Sequence, residues 1–340
     1  MNSPAIHQNY NLIHHNTMGI AARARFFIGV KSMQDLKTVL KKRYKELPLL
    51  IIGGGSNLLF VNDFEGLVIH NQIAGIEIIG EKSDQVELKI GAGENWHELV
   101  LYCVNRGLGG IENLSLIPGS AGAAPIQNIG AYGVELEEVF VSLEALETAS
   151  GMIKTFNKKE CEFAYRESIF KTELKGKFII TSITLRLKKN ASVNTTYKAL
   201  AKKLEEKGIS NPGIKDVSEA VIEIRQSKLP DPTKIGNTGS FFKNPVLSKA
   251  RFEELRQVYP DMPNYPAGKK VKIPAAWLID QCGWKGKRFG DAGVHKLQAL
   301  VIVNYGGASG EEIWNLAGRI QESVRQKFGV ALTPEVNVVL

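Results

Sequence analysis

Between Ser115 and Gly133 the chain reads Ser115-Leu-Ile-Pro118-Gly119-Ser-Ala-Gly122-Ala-Ala-Pro125-Ile-Gln127-Asn128-Ile-Gly130-Ala131-Tyr132-Gly133, and no other stretch restricts the fold as much. Four glycines and two prolines in nineteen residues leave neither a helical nor a strand period to follow. A loop this long inside a compact domain is as a rule either functional or disordered. This one is too apolar for disorder. Small residues at such density let backbone pack against a large flat ligand. Gln127 and Asn128 add amide donors and acceptors suited to a ring edge.

A second glycine-rich stretch lies upstream. Leu49-Leu50-Ile51-Ile52 reads as a buried strand, and it runs directly into Gly53-Gly54-Gly55-Ser56-Asn57. Glycines after a strand let backbone N–H groups approach a diphosphate, and consecutive unspent N–H groups can form an anion nest. Ser56 and Asn57 supply further donors. Three glycines alone are more simply a tight turn. The motif is neither G-x-G-x-x-G nor G-x-x-x-x-G-K-[ST], so the dinucleotide-fold and P-loop readings lose support. Taken together, the two stretches suggest a flavin dinucleotide.

With 340 residues the chain exceeds the roughly 250–300 at which a single core stops growing, so two or three domains are expected. The net charge of +8 suits either a nucleic-acid surface or a pocket for a small polyanion. Basic residues come only in short runs such as Lys41-Lys42-Arg43 and are not interleaved with aromatics, so no nucleic-acid partner is expected. No apolar run approaches the roughly 20 residues that cross a bilayer. Met1 to Tyr10 lacks the charged start and apolar stretch of a signal peptide, which predicts a cytoplasmic protein without a membrane partner. Cys103, Cys161 and Cys282 form no zinc pattern, and neither disulfide nor metal is expected.

The periodicity mixes helix and strand. Ser32-Met-Gln-Asp35 reads as a capping box ahead of Leu36, Val39, Leu40 and Leu47. Asn95 caps a helix carrying Trp96, Leu99, Val100, Cys103 and Val104, and Gly107 ends it. Val139 to Leu187 is largely strand, with a hairpin turn at Ser150-Gly151. A helix opens at Asp216 and stops at Lys228-Leu-Pro-Asp-Pro232. Three more helices follow: one from near Ser248, one over Pro274–Cys282, and one from Ser309 to Phe328 stopped by Gly329. A short strand closes the chain after Pro334. Helices and strands do not alternate regularly, so the fold class is α+β rather than a doubly wound sheet. The expected domains are 1–75, 76–225, 226–330 and a closing strand 331–340.

The two glycine stretches resemble the flavin-binding module of the vanillyl-alcohol-oxidase-type flavoproteins. More closely, six ordered segments between Gly19 and Glu335 resemble the UDP-N-acetylenolpyruvoylglucosamine reductase (UDP-N-acetylmuramate dehydrogenase) family. They are P-G-S-A-G-A-A-P-I-Q-N-I-G-A-Y-G, F-A-Y-R-E-S-I-F-K, R-Q-S-K-L-P-D-P, N-T-G-S-F-F-K-N-P, W-L-I-D-Q-C-G-W-K-G and H-K-L-Q-A-L-V. The resemblance implies a two-part FAD-binding module followed by an α+β substrate-binding domain. It also implies an oxidoreductase in which FAD, reduced by NADPH, reduces the enolpyruvyl double bond of UDP-N-acetylglucosamine enolpyruvate to UDP-N-acetylmuramate in peptidoglycan precursor synthesis. Related oxidases often carry a histidine near the first glycine loop that bonds covalently to the flavin. Gly55 and Ser56 stand there in this chain, so the FAD is expected to be non-covalent. A monomer is expected.

Reduction of an enolpyruvyl alkene needs its carboxylate held by cationic or hydrogen-bonding groups, and an acid to protonate the neighbouring carbon. The resemblance gives catalytic roles to Arg166, Ser240 and Glu335. Arg166 can grip a carboxylate with two parallel hydrogen bonds, although alone it reads as a surface partner of Glu162 or Glu167. Ser240 would donate the proton, with Lys228 as a helper that eases its loss. It sits in no G-x-S-x-G elbow and does not read as an acyl-transfer nucleophile. Glu335 would position a proton or polarise the double bond. Tyr197, in Asn194-Thr-Thr-Tyr197, matches the tyrosine loop of one subclass, which folds over the substrate diphosphate. Tyr132, Tyr165, Asn244 and Gln298 are further substrate contacts by resemblance. Gly53, Gly54, Gly55, Ser56, Asn57, Pro118, Gly119, Gly122, Gln127, Asn128, Gly130, Ala131 and Arg225 are flavin contacts. His295 reads as structural. An oxidase of the same fold, or a basic protein that binds nucleotides without catalysis, remains an alternative at this point.

Overall fold

A computed structural model describes residues 4–41 and 47–340. Lys42 and Arg43 of the basic run, and the first three residues of the polar N-terminus, lie outside the described residues. The chain forms two compact units. One comprises Met1–Tyr10, Ala24–Gly55 and Glu65–Ser227; the other comprises Asn11–Arg23, Ser56–Phe64 and Lys228–Leu340.

Besides the two-stranded ribbon of Gly130–Ala131 with Val134–Glu135, the first unit holds two larger sheets. In the smaller, the strand order is His7–Asn11, Arg23–Val30, Phe64–Asn71, Leu49–Ile52. Leu49–Ile52 runs parallel to Phe64–Asn71, with Leu49 opposite Leu67 and Ile52 opposite His70. Helix α1 (Met33–Lys41) buries Leu36, Val39 and Leu40 against Ile28, Val30, Leu67 and Ile69. Its cap forms only half as the sequence predicts. Ser32 Oγ accepts from the Asp35 N–H at 3.1 Å, but the Asp35 carboxylate accepts from Lys31 N–H, one residue earlier than a capping box requires.

The larger sheet is six-stranded. Its path is Ile153–Asn157, Phe140–Glu147, Phe178–Lys189, Gln85–Gly91, Ile76–Glu81, with Leu108–Gly109 also paired to Phe178–Lys189. All the pairings are antiparallel. The hairpin turn at Ser150-Gly151 is present, with Gly151 at φ +73° where an L side chain is strained. One face buries Leu88, Ile90, Leu143, Ile183 and Leu185 against helix α2 (Trp96–Val104), whose Trp96, Leu99, Val100 and Cys103 point inward as the 3.6-residue period predicts. Asn95 Oδ1 accepts from Glu98 N–H and caps α2. Burial pushes the Cys103 and Cys161 thiols up to about 12, so both stay protonated. Helices α3 (Lys198–Glu206) and α4 (Ile214–Lys228) share a small core of Leu200, Leu204, Val217, Val221 and Ile224. α4 starts two residues before Asp216, whose carboxylate reaches back to the Gly213 N–H at 2.8 Å.

In the second unit, one sheet has the order Gly236–Asn237, Ile302–Asn304, Ala292–Val294, Arg288–Phe289, and another the order Val246–Ser248, Lys270–Lys272, Tyr265–Ala267. Its helices are α5 (Lys249–Val258), α6 (Ala275–Gln281) and α7 (Gly310–Phe328). α7 carries a complete capping box between Ser309 and Glu312, ends on Gly329 in the left-handed region, and buries Ile313, Leu316, Ala317, Ile320, Val324 and Phe328. The last strand, Asn337–Val339, pairs in parallel with Leu58–Phe60. The N-terminal segment is tied in by Thr17, whose carbonyl accepts from Asn237 N–H and whose hydroxyl donates to the Asn237 carbonyl. The class is α+β, as the pattern predicts. No helix among the described residues is long and apolar enough to cross a membrane.

Candidate functional site

The first unit brings the two glycine stretches together. A Cβ on Gly53 would stand 1.9 Å from Ser120 Oγ, and one on Gly54 would stand 3.1 Å from the Gly119 backbone. A side chain is excluded at Gly53, and one at Gly54 would require the Gly119 backbone to give by a few tenths of an ångström, so that one loop lies closely on the other. Gly119 to Gly122 is in turn threaded onto the start of α2. Trp96 N–H donates to the Gly119 carbonyl, Ala121 N–H to Glu94, and Gly122 N–H to Ala92. Among the described residues, no protein acceptor takes the N–H of Gly53, Gly54 or Gly55. Backbone donors beside a close backbone contact, with nothing of the protein on them, are what an anion nest requires. These residues fit the diphosphate of a dinucleotide.

Arg166 is held by the downstream half of the long loop. Its guanidinium donates to the carbonyl of Asn128 at 3.4 Å and to that of Gly130. A carboxylate oxygen of Glu135 lies 3.9 Å from its Nη1. A Cβ on Gly130 would meet Arg166 Nη1 at 2.9 Å, so the glycine is what lets the guanidinium approach. The guanidinium also lies beside the half-buried Tyr165 ring, 5.4 Å from its centroid. Arg166 itself has φ +55°, and Leu116, Asn128 and Tyr132 share that sparsely populated backbone region. Such strain in non-glycine residues clusters where the surroundings over-determine the backbone, commonly at functional sites.

The fully buried Asn128 does not present its amide to a ligand. Its Nδ2 donates to Glu135 and to the Ala164 carbonyl, and its Oδ1 accepts from Glu137 N–H. The side chain shapes the loop. Gln127 and Ala131 are half-buried and Pro118 is exposed. Ala131 pairs with Val134 across a tight turn made by Tyr132 and Gly133.

Beside this loop, Arg225 extends from α4. Its Nε donates to the Leu116 carbonyl at 3.2 Å, and the Tyr132 hydroxyl lies beside its guanidinium. Burial lowers the Arg225 pKa, opposed by Tyr132, and the Arg166 charge lowers it further. Burial likewise raises the Tyr132 pKa, opposed by Arg225. Tyr197 caps α3 and sets its ring edge-on to Tyr132 at 5.2 Å. The sequence reading missed two members of this cluster. Asn113 donates to the carbonyls of Tyr132 and Asn194, and His97 accepts from Leu116 N–H. Neither belongs to a recognisable motif, so no residue signal marked them.

In the second unit, Ser240 and Glu335 are brought to one short antiparallel pairing. Phe242 is bridged to Pro334, Glu335 N–H donates to the Phe241 carbonyl, and Lys243 N–H donates to that of Thr333. Ser240 is exposed, while Phe241 and Phe242 are fully buried and anchor it. Asn57 belongs to this pairing too, donating from Nδ2 to the Glu335 carbonyl at 3.2 Å, while its own carbonyl accepts from Asn337. Its amide thus fixes the Glu335 strand. The turn that holds Gln298 lies alongside, because Phe241 N–H donates to the Leu300 carbonyl and Val301 N–H to Gln298. Asn244 Oδ1 accepts from Ala275 N–H and caps α6. Lys228 is exposed at the end of α4. His295 is buried, and among the described residues its Nδ1 has no partner.

The comparisons agree with this partition. Residues 24–157 match a family profile described as FAD binding domain. Residues 231–339 match one described as UDP-N-acetylenolpyruvoylglucosamine reductase, C-terminal domain. The chain is 54% identical over 336 residues to a UDP-N-acetylenolpyruvoylglucosamine reductase of Amoebophilus asiaticus, covering 98% of this chain and 99% of the relative. Against the reductase of Flavobacterium johnsoniae, identity is 51% with the same coverage. Among solved structures, the reductase of Thermus caldophilus superposes with a TM-score of 0.68 at 24% identity over 99% of both chains, a likeness of fold.

Proposed function

Because the chain belongs to the UDP-N-acetylenolpyruvoylglucosamine reductase family, we propose that it reduces the enolpyruvyl double bond of UDP-N-acetylglucosamine enolpyruvate at the expense of NADPH, with Ser240 giving the proton. The family places it among FAD-dependent oxidoreductases of peptidoglycan precursor synthesis. The observation that carries the cofactor reading is the contact of Gly53 and Gly54 with Gly119 and Ser120, beside three backbone N–H groups that no protein group uses among the described residues. In this proposal those N–H groups hold the diphosphate. Ser56 and Asn57, Pro118 to Gly122, Gln127 to Ala131 and Arg225 complete the FAD contacts, Asn128 acting through its backbone. With Ser56 where a covalent attachment would need histidine, the FAD is held without a covalent bond.

FAD, when bound, would supply hydride chemistry at the alkene, with NADPH as the source of the replacement hydride. The protein supplies charge, orientation and a proton. Arg166, locked on the Asn128 and Gly130 carbonyls, offers positive charge in a fixed direction for the enolpyruvyl carboxylate, where negative charge accumulates as hydride adds. The Ser240 hydroxyl protonates the adjacent carbon, and Glu335, one residue away across the pairing, orients that proton. Lys228 eases its loss from the serine. Tyr132, Tyr165, Tyr197, Asn244 and Gln298 hold the substrate, with Tyr197 closing on its diphosphate. Residues 1–75, without Asn11–Arg23 and Ser56–Phe64, and residues 76–225 form the two parts of the FAD module; 226–330 form the substrate domain, and 331–340 return Glu335. The enzyme acts in the cytoplasm as a monomer.

The test is Ser240→Ala with the two half-reactions measured separately. Loss of a general acid costs about 10²–10⁴ in rate. Enolpyruvate reduction should fall by at least that, while bleaching of the flavin by NADPH keeps its rate. Equal loss in both half-reactions would remove Ser240 from the proton step.

A further inference from the structure

His97 stands in the first turn of α2, outside every motif the sequence displays. Its Nδ1 accepts from the Leu116 N–H at 3.0 Å. A backbone N–H can only donate, so Nδ1 carries a lone pair and the ring is the neutral Nε2–H tautomer. The preceding residue grips the same segment, because Trp96 Nε1 donates to the Leu114 carbonyl. Ser115, between them, bonds Ser218 on α4 through its hydroxyl at 2.8 Å. Leu116 is thus clamped from both helices, in a left-handed backbone with φ +57° that a branched side chain rarely adopts.

That conformation has a consequence on its far side, where the Leu116 carbonyl accepts from Arg225 Nε at 3.2 Å. Arg225 is a half-buried cation. Its neighbours are the Tyr132 hydroxyl and the Arg166 charge, and no carboxylate among the described residues pairs with it. A guanidinium without a carboxylate partner takes its direction from the neutral acceptors around it. The Leu116 carbonyl is one of the few groups that set its direction.

We propose that His97 is a positioning residue: by accepting from Leu116 N–H it holds the left-handed turn whose carbonyl fixes the direction of the Arg225 guanidinium, and through Arg225 it sets the grip on the flavin. The last clause rests on the reading of Arg225 as a flavin contact. The groups facing His97 are consistent with a neutral ring. Burial lowers its pKa and Arg225 lowers it further, while Glu98 on its own helix opposes.

The experiment compares His97→Leu, which removes the acceptor, with His97→Asn, whose Oδ1 occupies the place of Nδ1. Two quantities are read on the holoenzyme: exchange of the Arg225 Nε–H with solvent by ¹⁵N NMR, assigned with Arg225→Lys, and release of FAD on dilution by flavin fluorescence. His97→Leu should speed the exchange and weaken FAD binding, each by about tenfold, the scale of one lost hydrogen bond next to a charge. His97→Asn should restore both to within about threefold, since the acceptor is back. Unchanged Arg225 exchange in the folded leucine variant overturns the proposal. So does failure of folded His97→Asn to restore it, because a merely structural histidine would make both variants less stable without touching Arg225. Should exchange respond while FAD affinity does not, the positioning of Arg225 by His97 stands and the reading of Arg225 as a flavin contact falls.

Discussion

At Gly53 a methyl group would fall 1.9 Å from Ser120 Oγ, a separation no atoms tolerate. Gly53→Ala should therefore push the two glycine loops apart. Overpacking of this kind costs about 1–3 kcal/mol, and the thermal midpoint should fall while the purified protein loses its yellow colour. Gly151→Ala is the control: it has open space around it and touches neither loop, so its cost should be confined to the left-handed backbone and its flavin content unchanged. The residue scale also shows the limit of reading chemistry from sequence. Composition revealed that Gln127, Asn128 and Asn57 have amides to offer, but not to whom. The Asn128 amide is spent on Glu135, Ala164 and Glu137, and that of Asn57 on the Glu335 carbonyl. Hydrogen-bonding capacity is a property of the residue, whereas its partner is a property of the fold. Arg166 illustrates the same point, since it pairs with the carboxylate of Glu135, distant in sequence.

Among the elements, helices were legible because their signals are local. Asn95, Ser248 and Ser309 each accept from the N–H three residues on, as N-caps do. Ser309→Ala removes the α7 cap and should cost about 1 kcal/mol, measured by denaturant unfolding, with the flavin spectrum unchanged. The strands at the candidate proton-donating site were not legible, because they are short and pair at long range. Nothing near Ser240 announces that Glu335 will lie beside Phe241, nor that Asn57 will anchor the Glu335 strand. Asn57→Ala keeps the loop but drops the tie to the Glu335 strand. It should slow the enolpyruvate half-reaction more than flavin reduction, by about the 10-fold that one lost hydrogen bond represents. Equal slowing of both steps would argue that the tie to the Glu335 strand does not matter to the proton step and that Asn57 acts through the flavin alone.

Across the whole molecule, contiguous boundaries drawn from sequence cannot express a division in which Asn11–Arg23 and Ser56–Phe64 belong with the C-terminal part. Those segments carry no composition shift; Thr17 and Asn237 tie the first, and the strand pair Leu58–Phe60 with Asn337–Val339 ties the second. Stability should depend on pH through three histidines. His15, His97 and His295 all have pKa values lowered from 6.5, chiefly by burial. The unfolded chain then binds protons that the folded one refuses. Their contribution is complete above pH 6.5 and is lost as pH falls below it toward the folded values. Thermal midpoints should be flat from neutrality down to about pH 6.5 and decline below it; a midpoint rising over that acid range would contradict the assignment.

In the proposed function, the backbone cradle of Gly53, Gly54, Gly119 and Ser120 serves a flavin that reduces an enolpyruvyl nucleotide sugar. The most direct measurement is anaerobic. NADPH is added until the flavin absorbance bleaches, and UDP-N-acetylglucosamine enolpyruvate is then mixed in. The account predicts that the absorbance returns with one equivalent of UDP-N-acetylmuramate formed, and that simple enones do not restore it. A protein that is colourless, or whose reduced flavin is re-oxidised by oxygen but not by the enolpyruvyl substrate, would contradict it.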